Sequence, residues 1–327
     1  MNHQQVWAVV LAGGDGTRLR SLTQLISGED CPKQYCPLYG GETLLAQTRT
    51  RLARAIHPEQ TAFVVVKSHE RFYKHELTDV EPLRMIVQPD NKGTTAAVIC
   101  SLLRITVLAA DPVVAFFPTD HYYSDEAGFI ASVRRAIRVA QHHSNTLVVL
   151  GAEAEHAEVE YGWIEPGTRF ESPLTNTLLR VTRFWEKPAQ STAQTLLARG
   201  CLWNTFVTVG RASIFLALLE NTTAPGLLNS FMAAQRHTAH ATYLAAQDRL
   251  WATLTAGDFS RQVLTLSTQH LAVLPVGDVG WSDLGTPERV RAAMARSGLK
   301  PQWQEPAENE ISTNDEHSLL LSVRARK

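Results

Sequence analysis

The sequence lacks nearly every feature that would assign a function from composition. Its 31 Lys+Arg nearly cancel its 32 Asp+Glu, so no global field favours nucleic acid or an acidic membrane, and any anion site must be local. Its longest apolar segments, such as 112–117, are far shorter than a bilayer span, and no basic region precedes an apolar run at the start. Neither nucleic acid nor membrane is an expected partner, and the chain reads as cytoplasmic. The four cysteines, Cys31, Cys36, Cys100 and Cys201, include no Cys-x-x-Cys pair, and there is no His-Glu-x-x-His run to hold zinc. They read as free, mostly buried thiols with no chemistry.

What is present is an ordinary globular composition, 44% apolar and 19% charged over 327 residues. Apolar β-rich runs at 6–12, 61–66, 84–87, 113–117 and 146–150 are separated by helix-period segments. Across 43–56, Leu44, Leu45, Leu52 and Ile56 share a face with Thr48. Phe129, Ile130, Val133, Ala136 and Ile137 repeat the pattern after the start signal Ser124-Asp125. This alternation predicts an α/β fold, a Rossmann-like, mostly parallel mixed sheet flanked by helices. In such a sheet ligands bind beyond the carboxyl ends of the strands.

Further along, 178–187 reads as a longer strand of mixed pattern and 212–257 as Ala/Leu-rich helix. The segment 286–297 reads as one more helix, and 301–327 as a polar tail. The expected division is a main domain over 1–290 and a terminal helix and tail over 291–327. No internal repeat is visible.

The strongest motif follows the first strand: Leu11-Ala12-Gly13-Gly14-Asp15-Gly16-Thr17-Arg18-Leu19, then Cys31-Pro32-Lys33-Gln34. Three glycines let backbone N–H groups approach a polyphosphate, while Arg18 and Lys33 supply countercharge. Leu19 stands where a dinucleotide fingerprint needs its third glycine, and no Gly-Lys-Ser/Thr completes a P-loop. A nicotinamide dehydrogenase is therefore disfavoured. A bare tight turn is the plain alternative for the glycines, and it weakens once Arg18 and Pro32-Lys33 are included.

A second constellation is Phe116-Phe117-Pro118-Thr119-Asp120-His121, an apolar strand ending in a carboxylate. Mg2+ is held by one or two carboxylates plus substrate phosphates, so Asp120 suffices as an anchor, with a helix or turn cap as the plain alternative. His121 reads as a hydrogen-bonded structural residue, because imidazole suits magnesium poorly. The pair Tyr161-Gly162, with Trp163 beside it, joins Glu186-Lys187 and Trp203-Asn204 in setting polar groups against aromatics, as a sugar pocket does. Taken singly, each reads as well as core or surface. The segment 88–97, with Gln88, Gly93 and Thr94, precedes a helix and reads equally as a base or ribose contact or as a cap.

These motifs, in this order over roughly residues 6–290, resemble the sugar-nucleotide pyrophosphorylase family. Pro32-Lys33-Gln34-Tyr35-Cys36-Pro37-Leu38, with Thr43-Leu44-Leu45-Ala46-Gln47-Thr48 and Arg51 downstream, is similar to its mannose-1-phosphate guanylyltransferase branch. The resemblance implies the nucleotide-diphospho-sugar transferase type of fold. It also implies an Mg2+-dependent joining of a sugar 1-phosphate to a nucleoside triphosphate, with mannose 1-phosphate and GTP as the leading pair.

The implied catalytic residues are Arg18, Lys33 and Asp120. The implied nucleotide contacts add Leu11, Ala12, Gly13, Gly14, Gly16, Thr17, Gln88, Gly93 and Thr94. Tyr161, Gly162, Glu186 and Asn204 would face the sugar, with Lys187 on its phosphate. The family's Gly-Trp-x-Asp-x-Gly pattern selects Asp283 as the second metal carboxylate, with Asp278 in reserve. A homodimer is compatible with this reading.

Departures from the family pattern occur at Arg20-Ser21, Gln88, Lys92-Gly93-Thr94-Thr95, Thr119 and Thr205-Phe206. They leave open another pair, such as glucose 1-phosphate with UTP or dTTP, and a non-catalytic nucleotide-sugar-binding regulator. The roughly forty residues after Gly285 are too few for a further catalytic domain, so isomerase activity is not expected.

Overall fold

An apolar run without polar alternation suits a strand covered on both faces, and β1 (Val6–Leu11) meets that condition. The computed structural model describes residues 5–39, 41–223, 225–226, 250–300 and 303. Within these it places β1 in a nine-stranded sheet. Trp7 and Val9 enter one buried cluster while Ala8 and Val10 enter the other, the period-two division that a pleated strand imposes.

β2 (Thr61–Val66) and β4 (Val113–Pro118) flank β1 in parallel, and β3 (Met85–Gln88) pairs with β2 in the same sense. Beyond β4 come β8 (Leu202–Arg211), β5 (Leu147–Glu153), β9 (Leu271–Pro275), β7 (Leu179–Glu186) and β6 (Gly162–Arg169). β8 is antiparallel to both β4 and β5, and β7 is antiparallel to both β6 and β9. The expected mixed α/β sheet is therefore present, and its uninterrupted parallel portion is β3-β2-β1-β4.

Helices cover both faces. Those over Leu44–Ala53, Glu126–His142 and Pro287–Arg296 pack Leu45, Phe129 and Val290 into one cluster. Those over Gly93–Leu108 and Ala212–Thr222 pack Val98 and Phe215 into the other. Their starts are chemically marked: Thr43, Asp125 and Thr286 each accept a backbone N–H in the first turn.

Several boundaries differ from the sequence reading. Pro82–Arg84 is a 3-10 turn, so the third strand starts at Met85 and ends on Gln88, which puts that residue at the carboxyl edge. The helix expected through 257 does not reach it, because 254–258 is non-helical and runs beside 92–95. Residues 224 and 227–249 of that expectation lie outside the described residues. The expected domain boundary at 290 falls inside the helix Pro287–Arg296, whose Ala293 and Met294 are buried in the same core as Val290. Of the expected tail, Trp303 packs against that core, and the rest lies outside the described residues. Among the described residues no helix is long and apolar enough to cross a membrane.

Phe116 is 1% exposed and meets Phe215 edge-on at 5.1 Å. Phe116→Ala is expected to lower unfolding free energy by about 3–5 kcal/mol. Urea denaturation checks this, and a loss below about 1 kcal/mol would show that this cluster does not carry the fold.

Candidate active site

The carboxyl ends of β1, β3 and β4 converge on a cavity of 610 Å³ lined by Leu11, Gly13, Gly14, Lys33, Gln34, Gln88, Gly93, Thr94, Thr119, Asp120, Phe206 and Asp258, among others. The glycine loop is shaped from beneath. Buried Gln34 donates its Nε2 to the carbonyls of Ala12 and Gly14 at 3.0 and 2.8 Å, and the Tyr35 hydroxyl donates to Ala12 at 2.9 Å. A Cβ at Gly13 would lie 2.6 Å from Gln88 Nε2, so a side chain there would displace the Gln88 carboxamide. Gln34, to which the sequence motif assigns no role, holds these two carbonyls.

Lys33 and Asp120, far apart in sequence, meet at 2.7 Å between Nζ and Oδ2. Lys33 also reaches the Leu284 carbonyl at 3.4 Å. Burial alone would raise the Asp120 pKa, but the Lys33 ammonium, and next His121, hold it below the ordinary carboxylate range. His121 is buried, and burial lowers its pKa despite the neighbouring Asp120. Its Nδ1 accepts from Trp281 Nε1 at 3.2 Å, in keeping with the structural reading.

Asp283 sits beside this pair but is already engaged. Its Oδ1 accepts from the Tyr161 hydroxyl (3.0 Å), the Gly285 N–H (2.9 Å) and Arg289 Nη1 (3.0 Å), and its Oδ2 from Arg289 at 3.2 Å. The other Arg289 terminal nitrogen bonds Glu158. Burial favours the neutral form of Glu158, yet the Glu160 N–H and Arg289 hold its pKa below the usual range. Asp278 is exposed and lines a separate small cleft with Glu153 and Glu155. Among the described residues, no group of three or more His, Cys, Asp or Glu could hold a metal unaided. Magnesium needs only one or two carboxylates when phosphates complete its shell, so Asp120 fits as an anchor. Asp283 fits only by sharing its oxygens with Arg289.

The cavity roof joins two distant segments. Gly93 has φ +75, and a Cβ there would lie 2.3 Å from the Gly257 carbonyl oxygen. Gly257 N donates to the Lys92 carbonyl (3.0 Å), Thr95 N to that of Gly257 (3.1 Å), and Phe259 N to Thr94 Oγ1 (2.8 Å). Lys92 turns away from the cavity, its ammonium capping the carbonyls of Trp251 and Leu254. Asn91 ties this roof to the glycine loop through Asp15 at 2.9 Å. Beneath it Gln88 is 2% exposed, and its Oε1 has no hydrogen-bond partner.

The expected sugar residues form an adjoining cluster and do not line the cavity itself. Gly162 pairs with Glu186 across β6 and β7, and a Cβ at Gly162 would lie 2.9 Å from Glu186 Oε2 and 3.2 Å from the Asn204 Cβ. Burial, and next Asp258, push the Glu186 pKa up to about 7. Asn204 Oδ1 accepts from the N–H of Phe206, a cavity residue at φ 61 that the sequence reading gave no role. Tyr161, Trp203 and Trp281 pack with ring centroids 5.0 to 6.2 Å apart. Lys187 is exposed, with φ 48 and its N–H on the Tyr161 carbonyl.

Ala12, Gly16, Thr17 and Arg18 also stand outside the cavity lining. Gly16 takes the left-handed turn at φ 60. Arg18 instead pairs with Glu160 at 3.1 Å, both side chains about half exposed. Arg289 was missed because its partners are assembled only by the fold.

The xanthan biosynthesis protein XanB of Xanthomonas campestris pv. campestris is 30% identical over 286 residues, covering 86% of this chain and 58% of that protein. The mannose-1-phosphate guanylyltransferase of Escherichia coli (strain K12) is 27% identical over 292 residues, covering 88% and 59%. The chain thus spans somewhat over half the length of these curated relatives. A crystal structure described as mannose-1-phosphate geranyltransferase from Thermus thermophilus superposes with a TM-score of 0.76 at 24% identity, covering 93% of this chain and 81% of that one, which bears on the fold alone. The family described as Nucleotidyl transferase matches residues 7–297, a span that contains the glycine loop, Lys33, Asp120 and Asp283, and the chain accordingly belongs to that family.

Proposed function

We propose that the protein joins a sugar 1-phosphate to a nucleoside triphosphate, giving a nucleotide sugar and pyrophosphate, with mannose 1-phosphate and GTP as the pair. The observation that carries this reading is the Lys33–Asp120 pair in the cavity between the glycine loop and the sugar-facing cluster. A sugar phosphate oxygen attacks the α-phosphorus; the new O–P bond forms as the bond to the β-phosphate bridging oxygen breaks, and pyrophosphate leaves with that electron pair. A phosphate monoester is largely dianionic at neutral pH, so no side chain must create the nucleophile.

The work left to the chain is to hold two anions together. Gly13 and Gly14 admit the triphosphate closely, with Lys33 as countercharge. Arg18, on leaving Glu160, adds a second cation at the rim. Lys187 binds the sugar phosphate, while Tyr161, Glu186 and Asn204 meet the hydroxyls. Mg2+, when bound, would be held by Asp120 and Asp283 and supplies charge neutralisation between the substrates.

The unpartnered Gln88 Oε1 suits a base that presents an N–H, as guanine does at N1. The name of the Escherichia coli relative supports GTP and mannose 1-phosphate. The Gln88 carboxamide also complements the adjacent N–H and carbonyl of uracil or thymine, which supports the same reaction with UTP or dTTP as a second reading.

Asp120→Ala and Lys33→Ala are each expected to lower turnover by about a hundredfold or more while circular dichroism stays unchanged. Near-normal turnover in folded Asp120→Ala would remove its assignment. A screen of the common triphosphates against sugar 1-phosphates, read as pyrophosphate release, is expected to favour GTP with mannose 1-phosphate. Preference for UTP or dTTP would select the second reading, and no release from any pair would leave a binding protein.

Glu186, raised to about 7 from 4.5, favours the folded state most below 4.5, and that contribution is lost as pH rises through 7. As a carboxylate acceptor it should lower KM for the sugar phosphate as pH rises through about 7. Glu186→Gln should flatten this dependence, and an unchanged profile would exclude Glu186 from sugar binding.

A further inference from the structure

Arg289 lies outside every motif of the sequence, yet it contacts the carboxylate on which the second half of the metal reading depends. It occupies the first turn of the helix Pro287–Arg296, where Thr286 caps its own N–H. The side chain is 17% exposed and addresses two carboxylates with different nitrogens. Nη1 reaches both Asp283 oxygens, at 3.0 and 3.2 Å, and Nη2 bonds Glu158. Its Cζ lies 4.5 Å from the ring centre of Tyr161, whose hydroxyl donates to the same Asp283 oxygen.

Two consequences follow from guanidinium chemistry. Arginine keeps its proton at any working pH, so Asp283 faces an incoming cation with its charge already largely balanced. Glu158 holds a separate nitrogen, so Arg289 retains a charged partner when Asp283 turns to another cation. The side chain is thus anchored on both sides of the exchange.

We propose that Arg289 is a positioning residue that masks Asp283 and thereby sets the affinity of this carboxylate for a divalent cation. This inference rests on the reading of Asp283 as the second metal carboxylate. Arg289 acts by charge as well as by geometry, and the two contributions have opposite signs. Removing the charge while keeping a hydrogen-bond donor should strengthen cation binding, whereas a merely structural arginine would weaken it when removed.

Mn2+ binding to the full chain, followed by the electron paramagnetic resonance of free Mn2+ with pyrophosphate present, tests this without turnover or a chosen base. Arg289→Gln, which can still donate to Asp283, should bind Mn2+ about tenfold more tightly, the order expected from deleting one partly screened charge nearby. Arg289→Met should move in the same direction, and Arg289→Lys should stay near the parent. Asp283→Asn should weaken binding by about tenfold or more. Unchanged or weaker binding in folded Arg289→Gln, with Asp283→Asn weakened as expected, overturns the masking role alone. Unchanged binding in Asp283→Asn overturns the metal reading of Asp283 and this inference with it.

Discussion

A lysine and an aspartate whose charged atoms stand 2.7 Å apart fix the centre of this molecule. Lys33 is 11% exposed at its side chain, and an ammonium so placed is favoured by a compensating charge. Its partner is supplied by the end of β4, and its second contact by the Leu284 carbonyl. One cation therefore sets three remote stretches of chain in register: the segment after the glycine loop, the Asp120 strand end and the turn at 283–285. The nearby His121 is buried and buttressed by Trp281, which fixes its ring beside Asp120.

The parallel half of the sheet was legible in the sequence because it is buried on both faces, so β1, β2 and β4 read as unbroken apolar runs. In the other half β5 and β7 were legible as the runs at 146–150 and 178–187, while β6, β8 and β9 were not. β6 contains Gly162, Pro166 and Gly167, and β8 contains Asn204 and Gly210, residues whose local preferences oppose a strand. Their pairing comes from neighbours distant in sequence. The same distinction separates the site residues. Gly13, Gly14 and Asp120 follow from strand ends converging at one edge, and Lys33 from the motif that follows the glycine loop. Arg289 and the 254–258 segment are brought to the site by tertiary contacts that leave no local periodicity.

The departures from the family pattern at 92–95 gain a physical account from the fold. Lys92 serves as a strut for the carbonyls at 251 and 254, and Gly93 is required by the backbone of Gly257. Gln88, one strand end away, is free to present an acceptor to the cavity because Gly13 has no side chain to fill the space between them.

Because Lys92–Thr95 and Gly257–Phe259 bond to one another, the ceiling over the cavity has no independent existence in either stretch. Grafting the 88–97 stretch into a relative would carry over letters without their counterpart. The two segments form a matched pair, 165 positions apart where Thr94 meets Phe259, and a change in one constrains what the other can become.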